Sequence, residues 1–407
     1  MNVFLVGNGF DLHHKFPTRY IDFLHVMKFL IKEYNPEMNT VGKILGSESL
    51  QNNNPFIKVC YEQHAFIYDG VDIDGQVLIS LIEQAKRNLW FGYLAECTDK
   101  DIKWIDFEKE VLLIIEMVEG FFGCEPDFSR YDNTLSVDFN SIQLQYREKY
   151  LLGRFSFFLD EIPSLIRLEL GAGYKKLGKE YVLEKPLGSA CYVLNKDKIV
   201  DGLYDSLREL AYILKTYLNI FVDTVARSYF NYGILPQCKS YPTPDRVYTF
   251  NYTNTMEILH DVSAVIHIHG KVEEDIVLGV NPDKRDELGG IDTTFLQFKK
   301  YFQRCFFNTD AQFIKQMNDI RPNYNDKRHV YVIGHSLDVT DGDIIQQVFD
   351  WSHEITVLYH EKGAVKSYIK NLVELYGKDQ FDRLRADKKL KFLSQAEIQW
   401  GGEDSTV

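Results

Sequence analysis

The stretch Val3-Phe4-Leu5-Val6-Gly7-Asn8-Gly9-Phe10-Asp11 decides the fold class of this chain. Its first four residues are apolar, and a short apolar run that ends at a glycine is typical of a buried parallel strand. The two glycines that follow allow a tight turn and a close approach of the backbone to a phosphate group. The third glycine of the dinucleotide-binding fingerprint is absent, because Leu12 and His13 occupy that region.

We therefore interpret Gly7, Asn8, Gly9 and Asp11 as one wall of a nucleotide-binding site. The alternative is a plain turn between a strand and a helix, which a Gly-x-Gly pair by itself does not exclude. Asp11 also has two interpretations, because its carboxylate could contact a ribose hydroxyl or cap the turn.

Other strand-like runs come late in the chain. They are short, rich in β-branched or aromatic residues, and bounded by Gly, Asn or charged residues, as buried parallel strands are. The runs are Val247–Phe250, Val265–His269, Ile276–Val280, Val330–Ile333 and Ile355–Tyr359.

The sequence between the first strand and these late strands has mainly helical periodicity. Thr18 is a candidate cap for a helix that extends to Leu30, and apolar residues from Leu203 to Phe221 recur at steps of three and four. Similar patterns begin near Phe298 and span Val365–Leu384. Residues 36–60 and 125–200 are less periodic, and we predict loops and short elements there.

This order of elements predicts an α/β fold, a Rossmann-like open and mostly parallel sheet with a large, mainly helical insertion after the first strand. Residues 1–35 and 240–395 would form the nucleotide-binding core, residues 36–239 the insertion, and residues 396–407 a polar tail. Ligands of such sheets bind beyond the carboxyl ends of the strands, so we expect the site there.

The composition narrows the class of partner. The chain has 46 Lys and Arg against 59 Asp and Glu, a net charge of −13, which disfavours general binding to nucleic-acid phosphates. It contains no apolar run of about 18 residues, so we expect no membrane span. The start lacks the features of a signal peptide, and the six cysteines form no Cys-x-x-Cys pair. Together these features predict a cytoplasmic protein with reduced thiols and no zinc ribbon.

Asn251 follows the second predicted strand. Its amide can donate and accept hydrogen bonds at once, and from a strand end it could orient a ribose or a water molecule. An asparagine in an ordinary turn is the alternative.

Two histidines end the third predicted strand, and period-two alternation would put His267 and His269 on one face. A histidine at a strand end followed by a glycine, as in His269-Gly270, is well placed for acid–base chemistry near neutral pH. The alternatives are a hydrogen-bonded core histidine or a metal pair. No carboxylate or cysteine at ligand spacing joins the two histidines, so we predict no metal.

A second small loop follows the strand Val330–Ile333. Gly334 and Ser336 suit contacts with a phosphate or a ribose. Asp338 stands where the second glycine of a hydrolase nucleophile elbow belongs, so we do not interpret Ser336 as a nucleophile. Asp341 and Asp343 are candidate caps of the following helix.

Taken together, these segments resemble the AbiH family of bacteriophage abortive-infection proteins. The resemblance extends from residue 1 to about residue 375. It is carried by Gly7–Leu12, Pro17–Leu24, Trp104–Glu108, Phe250–Thr253, His267–Gly270 and Gly334–Asp338.

The order of the motifs is also similar to a diverged sirtuin-like Rossmann core. This second resemblance implies that the ligand is NAD or a related nucleotide and that Asn251 holds its ribose. It implies that the phosphates contact the small loops and that the His-Gly pair is catalytic. Carried onto this chain, the residues of those loops and of that pair are Gly7, Gly9, His269, Gly270, Gly334 and Ser336.

Three departures from the sirtuin pattern argue against protein deacylation. The chain lacks the zinc module of Cys-x-x-Cys pairs, Asn8 and Phe10 interrupt the first motif, and Thr253 stands where an aspartate often follows the asparagine. We therefore expect hydrolysis of NAD to nicotinamide and ADP-ribose, with His269 as the base and Asn251 positioning the ribose or the attacking water.

Two alternatives stay open at this point. One is a nuclease-type toxin that uses His267 and His269, and the other is a non-catalytic nucleotide sensor that signals through assembly. The expected partners are a small-molecule nucleotide, a phage-derived or host protein that triggers activity, and further copies of the chain. We expect no membrane partner, and the acidic charge disfavours nucleic acid.

Overall fold

The computed structural model describes residues 1–98, 107–123, 192–231, 243–281, 293–318, 327–387 and 389–395, together with five short strands between Phe128 and Glu184. The chain divides into two compact units. We call Met1–Leu78, Leu214–Pro282 and Lys300–Val407 the sheet unit, and Ile79–Ile213 with Asp283–Lys299 the insertion unit. This division does not coincide with the predicted boundaries at residues 35 and 240, and the predicted domains stay a prediction. The predicted tail, 396–407, lies outside the described residues.

The strands in chain order are β1 Asn2–Val6, β2 Phe128–Tyr131, β3 Thr134–Asp138, β4 Ile166–Arg167, β5 Tyr174–Leu177, β6 Val182–Glu184, β7 Tyr192–Leu194, β8 Arg246–Thr249, β9 Val265–His267, β10 His329–Ile333, β11 Glu354–Tyr359 and β12 Leu390–Ser394. Six of them form one sheet in the order β12-β11-β10-β1-β8-β9. Every neighbouring pair in this sheet is parallel.

The first strand, β1, lies in the interior of the sheet. From β1 the chain continues outward to β8 and β9 on one side, then crosses over and continues outward through β10, β11 and β12 on the other side. Numbered along the chain, the six strands have the order 3-2-1-4-5-6, which is the order of the dinucleotide-binding Rossmann fold. The predicted α/β class with an open parallel sheet is therefore confirmed. The direction of winding reverses between β1 and β10, where such sheets bind ligands.

The centre of the sheet consists of buried apolar side chains. Val3, Leu5, Val330, Val332 and Val357 are fully buried, as expected of parallel strands covered on both faces.

One predicted strand is absent from the sheet, and one strand of the sheet has no counterpart in the sequence prediction. Ile276–Val280 is buried and apolar like a strand, but it is not part of the sheet; Val277 N–H donates to the carbonyl of His269 in the preceding loop. The final strand, β12, was not predicted, because it is a partly exposed edge strand in which Lys391 and Ser394 interrupt the apolar run. Charged residues are common on edge strands, where they oppose pairing with other chains.

The helices in chain order are α1 Gly9–His13, α2 Tyr20–Glu33, α3 Val41–Leu45, α4 Glu48–Asn53, α5 Pro55–Gly70, α6 Gly75–Arg87, α7 Leu89–Thr98, α8 Phe107–Gly123, α9 Lys196–Leu218, α10 Thr224–Asn231, α11 Thr255–His260, α12 Lys300–Phe307, α13 Ala311–Asn318, α14 Gly342–Trp351, α15 Ala364–Tyr376 and α16 Lys378–Ala386. A π-helical turn, Asn219–Asp223, joins α9 to α10, so the helix predicted from Leu203 to Phe221 is present and continues further.

The predicted helices need correction in two places. Thr18 does not cap α2, since Arg19 is the N-cap residue and the Thr18 hydroxyl donates to Asn8 Oδ1 at 2.6 Å. Residues 36–60 contain the short helices α3 and α4 and the start of α5, as the prediction of loops and short elements allows. The single helical pattern from Val365 to Leu384 is two helices, because Gly377 adopts a φ of 72° between them.

The insertion unit contains helices and also β structure. An antiparallel sheet has the order β2-β3-β5-β4, and β6 pairs with β7. These strands lie in the region predicted as loops and short elements. Asn88 and Trp90 each donate a side-chain hydrogen bond to a carbonyl of α9, at 2.8 and 2.9 Å. Within the described parts of the chain, no helix has the length and apolar character needed to cross a membrane.

Candidate functional site

Four loops leave the carboxyl ends of adjacent strands in the sheet unit. They follow β1, β8, β9 and β10, and the register pairs Val6 at the end of β1 with both Thr249 and Ile333. Because all four strands are parallel, the loops emerge at the same edge, where the sequence predicts the site. Residues 7–11, 250–254, 268–270 and 334–338 form this edge.

The loops after β1 and β10 pack directly against each other. Gly9 N–H donates to the carbonyl of Gly334 at 2.7 Å. A Cβ atom added to Gly9 would lie 2.7 Å from that oxygen, and one added to Gly334 would lie 2.3 Å from Phe10 N. Gly334 also has a φ of 66°, a conformation that favours glycine. In the structure, Gly9 and Gly334 allow the backbones of the two loops to pack closely. A contact of these glycines with phosphate stays a prediction.

Asn8 and Ser336 are the exposed polar members of these two loops. Asn8 accepts the hydrogen bond from Thr18, and the carbonyl of Ser336 accepts one from Asn371 Nδ2 at 3.0 Å. Both side chains are accessible to a ligand at the point where the winding of the sheet reverses.

Asp11 does not simply cap its turn. Its carboxylate is 1% exposed, and Oδ2 accepts a hydrogen bond from the Thr253 hydroxyl at 2.6 Å, which ties the β1 loop to the β8 loop. Oδ1 accepts no hydrogen bond of good geometry from the described residues. Burial raises the pKa of Asp11 to about 6, against the opposing effects of Thr253, Thr255, His267 and Asn251. At neutral pH Asp11 is a mainly ionised carboxylate, and its Oδ1 atom is buried near Asn251 and Thr255 without a well-aligned hydrogen bond.

Asn251, in the loop after β8, is largely buried and lies beside Asp11 of the β1 loop. Its backbone is fixed at both ends: its N–H donates to the Thr249 hydroxyl at 3.1 Å, and its carbonyl accepts from His267 Nδ1 at 2.9 Å. The main chain of the loop is therefore held on both sides of Asn251, whose side chain lies next to the Asp11 carboxylate.

His267 has a structural role in holding this loop. Nδ1 must carry a proton, because its partner is a carbonyl oxygen, and Nε2 lies 2.7 Å from Glu257 Oε1. Burial lowers the pKa of His267, but the hydrogen bond and the charge of Glu257 outweigh it, so the net pKa is raised. Both ring nitrogens are engaged, and the Glu257 carboxylate favours the charged form of the ring.

We expect this pair to make the stability of the sheet unit depend on pH. The folded pKa of His267 lies above the unfolded value of about 6.5, so the stabilisation is complete below that pH and is lost as the pH rises through the folded pKa. Urea midpoints measured between pH 5 and 9 should fall more steeply in the wild type than in His267→Gln. Identical slopes would contradict the pairing with Glu257.

The predicted common face of His267 and His269 is wrong. The strand β9 ends at His267, so period-two alternation does not extend to His269. The ring of His269 instead contacts Phe250 edge-on, with centroids 5.2 Å apart, and its Nε2 lies 3.3 Å from Asp341 Oδ1. That contact is too poorly aligned to be a hydrogen bond. Burial lowers the pKa of His269 to about 4, against the attraction of Asp341. His269 is therefore neutral at physiological pH.

Asp341 is a site residue that the sequence did not identify. It precedes α14 as predicted, but its side chain makes no capping bond. Oδ1 lies 2.9 Å from the buried ammonium of Lys300, and Oδ2 lies 3.5 Å from Nε2 of His335. Although burial opposes ionisation, Lys300, His269 and His335 together hold the pKa of Asp341 well below its usual range. One carboxylate thus faces two histidines from two different strand-end loops.

His335 has a defined tautomer. Its Nδ1 accepts a hydrogen bond from Leu337 N–H at 2.9 Å, so the ring proton sits on Nε2 and faces Asp341. His335 also packs on Phe250, with ring centroids 4.2 Å apart. Phe250 therefore contacts both histidines and precedes Asn251.

The nearby cations are already paired with carboxylates. The buried Arg304 bonds Asp310 through Nε at 3.2 Å and Asp343 through its guanidinium, so Asp343 is an ion-pair partner rather than the predicted cap. Lys300 is paired with Asp341. This part of the edge therefore offers hydrogen-bonding and acid–base groups instead of a positive patch for a polyanion. Among the described residues, no group of three or more potential ligands could hold a metal ion.

A family model described as bacteriophage abortive infection AbiH matches residues 3–359. The match contains all four strand-end loops and Asp341. The comparisons with curated proteins and with solved structures found no match. Because the family model covers most of the 407 residues, the chain belongs to the AbiH family of bacteriophage abortive-infection proteins.

Proposed function

We propose that this protein acts in abortive infection by hydrolysing NAD to nicotinamide and ADP-ribose. The observation that carries the proposal is a buried, neutral His269 held against the ionised Asp341 at the carboxyl edge of a Rossmann-ordered sheet. A neutral imidazole close to a carboxylate, whose charge stabilises the imidazolium that forms, is suited to act as a general base. Phe250 connects this histidine to Asn251, which lies beside Asp11.

The proposed reaction breaks the bond between the ribose C1′ and the nicotinamide nitrogen. The bonding electrons go to the nicotinamide ring and neutralise its positive charge, while C1′ develops oxocarbenium character. Water adds to C1′ and its proton passes to His269, then to solvent. The products are nicotinamide, ADP-ribose and one proton.

The other residues bind the nucleotide in this scheme. Asn251 positions the ribose or the attacking water, and Oδ1 of Asp11 accepts a hydrogen bond from a ribose hydroxyl. Backbone groups of the two small loops, together with exposed Asn8 and Ser336, bind the phosphates. The glycines concerned are Gly7, Gly9 and Gly334 in these two loops, together with Gly270 in the loop after β9. The similarity to a sirtuin-like core supports NAD as the nucleotide.

The nuclease alternative has less support. It needs His267 and His269 to act together, yet His267 is committed through both nitrogens to Glu257 and Asn251. The cations Lys300 and Arg304 are paired with aspartates and do not form a phosphate-binding surface.

The test incubates the purified full chain with NAD, RNA and DNA in parallel and follows nicotinamide release and nucleic-acid length. We expect nicotinamide to appear and both nucleic acids to stay intact. Calorimetric titration with NAD is run beside it. Binding without turnover would favour the nucleotide sensor, cleavage of RNA or DNA would favour the nuclease, and the absence of both binding and turnover would overturn the proposal.

A further inference from the structure

A further buried carboxylate, that of Asp223, lies outside every motif of the sequence. It ends the π-helical turn Asn219–Asp223 between α9 and α10, and its side chain is fully buried. The turn is closed by Thr224, whose N–H and hydroxyl both donate to the carbonyl of Asn219. Single π turns inside helices are often found at functional sites, because they redirect a side chain that an α-helix would place elsewhere.

The Asp223 carboxylate holds the loop after β8 at two points. Asn254 donates from its backbone N–H to Oδ1 at 3.1 Å and from its side-chain Nδ2 to Oδ2 at 2.6 Å. These two bonds fix both the main chain and the side chain of Asn254. Hydrogen bonds to an ionised acceptor are stronger than those between neutral groups.

The hydrogen bonds continue from Asn254 to the loops at the carboxyl edge of the sheet. The preceding residue, Thr253, donates its hydroxyl to Asp11 Oδ2 at 2.6 Å, and the Thr255 hydroxyl lies 3.3 Å from that of Thr253. The π turn, the β8 loop and the β1 loop are thus connected through the adjacent residues Asn254 and Thr253. Oδ1 of Asp11 lies at the end of this chain of hydrogen bonds.

We propose that Asp223 is a positioning residue of the nucleotide site, which fixes the loop Asn251–Asn254 so that Thr253 orients the Asp11 carboxylate toward the ligand. Asp223 does not touch the nucleotide in this arrangement. The identity of the ligand rests on the proposed function, whereas the positioning of Asp11 does not.

The charges around the two carboxylates support this coupling. Burial raises the pKa of Asp223 to about 7; Asn254 and Arg227 oppose the rise, and the charge of Asp11 adds to it. Asp11 itself faces Thr253, Thr255, His267 and Asn251. The hydrogen bond from Thr253 lowers the pKa of Asp11, so a loop loosened by loss of the Asp223 carboxylate should raise the pKa of Asp11.

The test compares Asp223→Asn with Glu273→Gln in the full chain. Asparagine has nearly the same shape as aspartate. Its side-chain NH₂ group, however, replaces one of the two carboxylate oxygens that accept hydrogen bonds from Asn254. Glu273 also accepts from Asn254 Nδ2, at 2.9 and 3.0 Å, but from a half-exposed position, and its replacement leaves the Asp223 bonds in place. It is therefore a matched control.

We expect Asp223→Asn to raise the KM for NAD about tenfold while kcat changes by less than about threefold, the signature of lost binding interactions. The Asp11 carboxyl, followed by ¹³C NMR in aspartate-labelled protein, should titrate at a higher pH than in the wild type, because its hydrogen bond from Thr253 is weakened. The amide hydrogen of Asn254 should exchange faster. Glu273→Gln should match the wild type in all three measurements.

Two of these readouts need no NAD, so failure of the proposed function and failure of this proposal are distinguishable. An unchanged Asp11 titration with unchanged Asn254 exchange in folded Asp223→Asn would overturn the positioning role, whether or not the wild type consumes NAD. If Asp223→Asn does not fold, Thr253→Val breaks the next bond of the same chain. An unchanged Asp11 titration in that variant would overturn the proposal equally.

Discussion

Replacing His269 with alanine should reduce NAD hydrolysis by about 10²–10⁴-fold, the usual contribution of a positioned general base. Binding of NAD should change much less, because the ring is mostly buried between Phe250 and Asp341 and is proposed to act on the reacting water. The measurement is nicotinamide release at saturating NAD, with affinity determined by calorimetry.

The control for this variant is His329→Ala. His329 begins β10 at the opposite, amino-terminal edge of the sheet, where its Nε2 bonds the Thr356 hydroxyl at 2.7 Å. Its replacement removes a partly buried histidine without touching the strand-end loops, so turnover should stay near the wild-type rate. Full turnover by a folded His269→Ala protein would contradict the assignment of the base.

The pH profile provides an independent check on the same residue. A base must be neutral to accept a proton, and burial lowers the pKa of His269 to about 4. The kcat at saturating NAD should therefore stay level down to about pH 5 and fall as the pH falls through about 4, whereas protonation of Asp11, whose pKa is about 6, should appear in KM. An acid limb of kcat centred near 6.5 would indicate a solvated histidine instead.

Replacing Gly334 with alanine should destabilise the sheet unit by about 2–5 kcal/mol, the sum of a left-handed conformation and an overpacked contact. The new Cβ would lie 2.3 Å from Phe10 N and 2.5 Å from Gly9 C, both backbone atoms of the opposite loop. Backbone atoms cannot rotate away as a flexible side chain would, so the two loops must separate. A lower urea midpoint, followed by far-ultraviolet circular dichroism, is the expected result.

Gly363→Ala is the matched control for this substitution. Gly363 precedes α15 in the same unit, has a φ of −60°, and has no atom within 4 Å of an added Cβ. Its replacement should shift the free energy of unfolding by no more than about 0.5 kcal/mol. Equal midpoints for the two variants would contradict the packing of the β1 loop on the β10 loop.

Local pattern was sufficient to predict most of the sheet. Five of its six strands are short apolar runs that end at a glycine, an asparagine or a polar residue, and such a run has few stable arrangements other than a buried strand. The same rule failed at Ile276–Val280, because burial alone does not distinguish a strand from an extended loop. It also missed β12, since an edge strand buries little and tolerates Lys391.

The candidate site was less predictable than the sheet. His269, Asn251 and Asp11 could be identified because each follows a strand, and parallel strands bring their carboxyl ends to one edge. Asp341 and Asp223 have no comparable signal. One lies in a position typical of a helix cap, and the other lies in a helix whose π turn is not visible in the periodicity of apolar residues.

By itself, the sequence determined the fold class, the AbiH resemblance and the set of loops at the carboxyl edge, because these depend on residues close together in the chain. Only the tertiary structure decided which side chains meet. Asp11 bonds Thr253 across 242 positions, and His269 shares Asp341 with His335. The tertiary structure also places His267 and His269 apart, although period-two alternation predicts a common face, because β9 ends before His269. Contacts between distant residues depend on the packing of whole elements, which local periodicity does not record.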